Sequence, residues 1–218
     1  MELKGKKINF LGDSITEGHG TSGPEHTFEE IMRRNEGLDE ARNYGIGGTR
    51  IARQQKPSLN ERWDLYFESR VDEMDPDADV VVIFGGTNDY GHGDAPIGTP
   101  ADRTPDTFYG ACHSLFRAVI KKYPTSTIAV CTPLHRNNEQ SPRGDGYKEP
   151  TLPLIGYVNI IREVAEYYSL PLIDFYKNSN IVTEIEEVRR KFIPDGLHPN
   201  DAGHEILAAR IAGVLKTL

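Results

Sequence analysis

The segment Val80–Phe84 reads Val-Val-Val-Ile-Phe. Five consecutive β-branched or aromatic apolar residues leave no face for water, so a strand made of them needs cover on both sides. Strand-like and helix-like stretches alternate around it. Further strands are expected at Lys7–Leu11, Ala41–Tyr44, Thr127–Cys131 and Leu172–Asp174. Helical spacing falls over Thr27–Asn35, Arg62–Met74, Asp106–Tyr123, Leu154–Tyr168 and Asp201–Leu215, with Ile181–Lys191 helical or partly irregular. Such alternation predicts a parallel sheet with right-handed crossovers, hence a three-layer α/β/α sandwich of about five strands. The 218 residues suffice for one domain spanning 1–218. In sheets of this kind a ligand binds at the carboxyl ends of the strands.

Several function classes are disfavoured at once. A formal charge of -8 offers no basic face for nucleic acid. The apolar run at Val80 is far too short to span a bilayer. The chain starts Met-Glu-Leu-Lys-Gly-Lys-Lys and passes straight into a strand, with no apolar signal segment. A cytoplasmic protein is therefore expected, a secreted mature form being the alternative. Cys112 and Cys131 form no CxxC pair and read as buried thiols. Gly18-His19-Gly20-Thr21-Ser22-Gly23 is a literal GxGxxG, but it begins well after the first strand and runs into Pro24, which a dinucleotide fingerprint does not do. No histidine pair has metal-ligand spacing, so neither metal nor organic cofactor is expected. Two long polar loops, Tyr90–Pro105 and Pro133–Pro153, follow strand ends and are candidates for function.

Four short blocks carry chemistry. Gly12-Asp13-Ser14-Ile15-Thr16 puts a serine on the turn after the first strand, with Asp13 expected to hold that turn. Asn43-Tyr44-Gly45-Ile46-Gly47-Gly48 lets the backbone approach a ligand. Gly85-Gly86-Thr87-Asn88-Asp89 places an amide just beyond the most buried strand. Asp195-Gly196-Leu197-His198 sets a carboxylate three residues from an imidazole, between Pro194 and Pro199. Each block alone has an ordinary reading as a cap, a turn or a surface loop. Together they supply a nucleophile, a base, an orienting acid and three oxyanion donors, the parts of an acyl-transfer site.

This set resembles the blocks of the SGNH/GDSL hydrolases, and the resemblance spans nearly the whole chain. It implies a flavodoxin-like sandwich and a serine carboxylic-ester hydrolase. Ser14 would be the nucleophile, and His198 and Asp195 would complete the triad. The N–H groups of Ser14 and Gly48 and the amide of Asn88 would hold the oxyanion, with Gly45 the alternative to Gly48. His19, His92, His135 and Arg136 lie in loops near the expected mouth and are candidate substrate contacts. The polar loop residues Arg136, Asn137, Asn138, Glu139, Arg143 and Asp145 favour a carbohydrate or other small ester over a lipid. A lysophospholipase or thioesterase on the same site is an alternative, and a non-catalytic nucleotide-binding module is one from another class. Asp13 and Glu17 count against the latter, since both would repel phosphate.

Overall fold

The computed structural model describes residues 1–145 and 151–218. Within the loop expected over Pro133–Pro153, residues 146–150 lie outside the described residues. Five strands, β1 (Lys7–Gly12), β2 (Glu40–Gly45), β3 (Val80–Phe84), β4 (Thr127–Cys131) and β5 (Leu172–Ile173), pair in parallel in the order β2-β1-β3-β4-β5. Helices α1 (Ser14–Glu17), α2 (Phe28–Glu36), α3 (Thr87–His92), α4 (Phe108–Lys122), α5 (Leu154–Tyr167), α6 (Phe175–Asn178), α7 (Glu186–Phe192) and α8 (Asp201–Thr217) complete the three-layer sandwich.

The pattern of β3 explains its composition. Val81 and Ile83 join one core with α4 and α5, whereas Val80, Val82 and Phe84 join the other with α2 and α8. Successive side chains of a strand point to opposite faces, so an all-apolar sequence is what two covered faces demand. Fully burying side chains of this size contributes roughly 1.5–3 kcal/mol each. Strand β2, at one edge, reads Glu-Ala-Arg-Asn-Tyr-Gly and is half-buried at most positions.

The strand order creates the site. From β1 the chain moves outward to β2 and then returns across β1 to β3, so the connections diverge between β1 and β3. Such a switch point leaves a crevice at the carboxyl edge. The register brings three of the blocks to one level there, because Gly12 pairs with Gly45 on one side and with Phe84 on the other.

One stretch departs from the helical expectation, and another takes the partly irregular form that its pattern allowed. Arg62–Met74 is not one α-helix but two 3-10 segments, Glu61–Asp64 and Phe67–Glu73. Phe67, Arg70, Val71 and Met74 are buried at intervals of three and four, a spacing that both windings satisfy. Ile181–Lys191 is irregular up to Ile185 and helical only from Glu186. The fifth strand stops at Ile173, and Asp174, expected within it, instead caps α6, its carboxylate accepting the Lys177 N–H at 3.2 Å.

Candidate functional site

At the end of β1 a side chain on Gly12 would collide with Thr16, which fixes glycine there. The Asp13 carboxylate accepts the Ile15 N–H at 3.0 Å and starts the single turn of α1. Burial pushes the Asp13 carboxyl up to about 7, against the pull of that hydrogen bond. Gly18, at φ 101°, closes the turn. Ser14 is thereby held almost fully buried, with Oγ 3.0 Å from Nε2 of His198.

The loop carrying His198 is organised by Asp195. One carboxylate oxygen accepts the N–H groups of Leu197 and His198 at 2.8 and 2.7 Å, and the other lies 2.7 Å from His198 Nδ1. A carboxylate can only accept, so Nδ1 carries the proton and Nε2 is left as the acceptor facing Ser14. Burial alone would raise the Asp195 carboxyl, but the His198 N–H, the imidazole and the Leu197 N–H outweigh it and hold the group below its ordinary value. Gly196 has φ 78°, and a Cβ there would overlap Asn137. The Asn137 N–H donates to the Gly196 carbonyl at 2.8 Å, tying the loop after β4 to this turn.

The third wall is a set of glycine amides. The Gly45 N–H donates to Asn43 Oδ1 at 2.8 Å, and the Gly47 N–H to Glu17 Oε2 at 2.6 Å. The Gly48 N–H has no acceptor among the described residues. It is thus the glycine amide of the block left to receive a ligand. Gly48 sits at φ 78°, and its α-carbon lies against the Trp63 indole. Asn88 is buried, and its amide donates to the Thr49 carbonyl at 2.9 Å. Asp89 fixes the neighbouring strand of loop by accepting the Ile51 and Ala52 N–H groups at 2.9 and 2.8 Å.

Arg70 locks these pieces together. Its buried guanidinium donates to the carbonyls of Tyr44 (2.7 Å) and Gly12 (3.1 Å) and to the Thr49 hydroxyl (3.2 Å). Burial lowers its pKa to about 10, so it stays charged near neutrality. Sequence reasoning missed Arg70, Glu17 as a loop anchor, and Trp63. A signal existed for Arg70, a charge placed on the apolar face of Phe67, Val71 and Met74. Nothing local marks Trp63, whose neighbours come from other segments.

The four candidate substrate contacts separate. His19 is exposed and its ring lies 5.5 Å from that of His198. His92 accepts from Arg50 Nη2 at 2.7 Å through Nδ1, since guanidinium can only donate, and its ring lies 5.0 Å from Trp63. His135 is paired instead with Glu139 at 2.9 Å and lies on the Tyr176 ring. Arg136 is buried over Tyr90, donating to the Thr87 carbonyl at 3.1 Å and to Asp145 at 2.7 Å. These contacts make Arg136 a strut between the long loop and α3.

The Gly18–Gly23 stretch also has a structural task. Gly20, at φ 94°, packs on the Pro199 carbonyl, and Ser22 binds Asp201 through its N–H (2.8 Å) and hydroxyl (2.7 Å). Among the described residues no three or more His, Cys, Asp or Glu side chains are grouped to hold a metal ion. None of the described helices is long and apolar enough to cross a membrane. A cleft on the flank of α4, lined by Glu68, Arg103, Ser114, Arg117 and Lys121, contains none of the groups above. Cys112 and Cys131 are both buried, and burial drives both thiols up. What the assembled groups can do is remove a proton from a hydroxyl and steady the negative charge that its attack creates.

Comparison with known proteins agrees with that chemistry. The GDSL-like lipase/acylhydrolase family matches residues 10–206. No curated protein matches the chain. One crystal structure is 31% identical, with a TM-score of 0.85 over 100% of this chain and 99% of the other. A protein from Lactobacillus plantarum is 26% identical, with a TM-score of 0.82 and 98% of each chain covered. An acetyl xylan esterase is 24% identical, with a TM-score of 0.63 over 96% of this chain and 99% of its own.

Proposed function

Since this chain belongs to the GDSL-like lipase/acylhydrolase family and is an ester-bond hydrolase, we propose that Ser14, His198 and Asp195 act as its catalytic triad and that it removes short acyl groups, chiefly acetyl, from carbohydrate or other small polar esters. The observation that carries this is the chain of contacts from Ser14 Oγ to His198 Nε2 (3.0 Å) and from His198 Nδ1 to Asp195 (2.7 Å). His198 Nε2 takes the Ser14 proton as Oγ bonds to the ester carbonyl carbon, and the carbonyl π electrons move onto oxygen. The N–H groups of Ser14 and Gly48 and the Asn88 amide receive that oxyanion. Collapse breaks the bond to the alcohol oxygen, which leaves with the proton from Nε2. Water then attacks the acyl-serine by the same route and frees the acid.

The acetyl preference draws on the polar composition of the loop after β4 and on the fold shared with an acetyl xylan esterase. The test compares hydrolysis of p-nitrophenyl acetate, butyrate and octanoate by wild type and Ser14→Ala. Turnover that drops to background in Ser14→Ala, and that is best on acetate, is expected. Full activity in Ser14→Ala would remove the nucleophile assignment. A preference for octanoate would favour a lipase-type acylhydrolase.

A further inference from the structure

The tetrahedral intermediate has four substituents, and three have places. Oγ of Ser14 is one. The oxyanion faces Gly48 and Asn88. The leaving oxygen must lie near His198 Nε2, which protonates it. The fourth, the acyl chain, must then point away from the imidazole. Two aromatic side chains stand beside the oxyanion donors. Trp63 touches Gly48 so closely that a Cβ there would overlap Cδ1 and Nε1 of its indole. His92 follows Asn88 by four residues on α3, so the two share a helix face. The His92 ring lies against Trp63, centroids 5.0 Å apart and planes tilted by 44°, and both are half-buried.

The pair is built to stay in place. Arg50, itself buried, holds His92 Nδ1 at 2.7 Å and donates to Ser58 Oγ at 2.9 Å. Asp64, next to Trp63, binds the Ser58 N–H at 2.9 Å and its hydroxyl at 2.6 Å. On the other flank Arg62 pairs with Glu17, the residue that also holds the Gly47 N–H. The 3-10 turn bearing Trp63 is therefore braced on both sides of the indole.

We propose that Trp63, backed by His92, is the specificity-determining wall of the acyl pocket and limits the acyl group to acetyl or a chain little longer. This rests on the assignment of Ser14 as nucleophile and of Gly48 and Asn88 as oxyanion donors. The wall acts by occupying the volume that further methylenes would need, each worth about ten- to two-hundredfold in discrimination in an apolar pocket.

The experiment measures kcat/KM for p-nitrophenyl acetate, butyrate and hexanoate with wild type, Trp63→Ala, Trp63→Phe and His92→Ala, with Ser14→Ala as the background. The readout is the butyrate-to-acetate ratio, which does not depend on how much of a variant is folded. A rise of about tenfold or more in Trp63→Ala, and a smaller one in Trp63→Phe, is expected. A ratio within twofold of wild type in Trp63→Ala, with Ser14-dependent hydrolysis intact, overturns the wall while leaving the nucleophile in place. Hydrolysis that persists in Ser14→Ala overturns both.

Discussion

In the proposed triad, the Ser14 hydroxyl is made reactive by where lone pairs and protons are forced to sit. Asp195 spends one oxygen on two backbone N–H groups and the other on Nδ1 of His198. The imidazole tautomer follows from that, with no freedom to reverse. Among the glycine amides of the second block, Gly45 and Gly47 already donate within the protein, which leaves Gly48 as the donor proposed for the oxyanion. Asn88 differs in using a side chain, one amide hydrogen of which is given to Thr49. Asn88→Ala is expected to lower kcat by about a hundredfold or more with a smaller effect on KM, because the lost hydrogen bond forms only as charge develops. Steady-state ester hydrolysis checks this, and an unchanged kcat would take Asn88 out of the oxyanion site.

Elements position these groups by how their ends are tied. Helix α2 begins at Phe28, whose N–H donates to Nδ1 of the buried His204 at 3.0 Å. Burial drives the His204 pKa down to about 4, so the neutral ring accepts without competition from a proton. In the first turn of α2, burial raises the Glu29 carboxyl from its ordinary 4.5 to about 7, although it receives the Asn43 amide. These two groups oppose each other in pH. Native His204 resists protonation that the unfolded chain takes up below about 6.5, which costs stability as pH falls towards 4. Native Glu29 keeps a proton that the unfolded chain releases above 4.5, which costs stability as pH rises towards 7. The Glu29 effect therefore shows best as a difference against Glu29→Gln, which mimics the protonated form. The variant should gain on wild type between pH 4.5 and 7, by on the order of 3 kcal/mol in all, and stay level above that. Thermal unfolding of both proteins across this range measures it, and a difference that stays flat would mean that Glu29 is ionised in the fold at neutral pH.

Across the whole molecule, Ser14 and His198, the proposed nucleophile and base, come from opposite ends of the chain, 184 residues apart. The stretch from Gly18 to Gly23, seated on Pro199 and Asp201, is one tie between them, beside the packing of α2 on α8. Gly20→Ala forces a Cβ onto the Pro199 carbonyl at a φ of 94°, where a side chain is strained in any case. Turnover should fall by about tenfold to a hundredfold, since a displacement of the base by about an ångström is enough for that. The folded state should persist, because the contact lies in a surface turn. Equal activity in the variant would show that this turn does not position His198. The same stretch shows why a motif can mislead: its glycines meet a literal dinucleotide-fingerprint pattern, yet Gly20 makes its close approach to another loop of the same chain, at Pro199.

The layered architecture was legible in the residues themselves. An all-apolar β3, a polar edge strand and alternating helical spacing leave few arrangements that cover every apolar face. The four blocks were legible too, because a serine, an amide and an Asp-x-x-His each sit next to a strand end or between prolines. Local pattern failed where two structures satisfy one spacing, as in the 3-10 turns at Glu61–Glu73, which place the same residues inside as an α-helix would. It also failed for Arg70, Glu17 and Trp63. Their partners are Gly12, Tyr44 and Thr49 for the first, Gly47 and Arg62 for the second, and Gly48 and His92 for the third. The sequence by itself determined which side chains must be buried and which chemistry was present, because burial and reactivity are properties of residues and their spacing. Only the tertiary structure decided which of these glycine amides already donate within the protein, which histidines are engaged elsewhere and that Trp63 lies against Gly48. Those depend on hydrogen bonds and contacts between segments far apart in the chain, whose meeting no local pattern encodes.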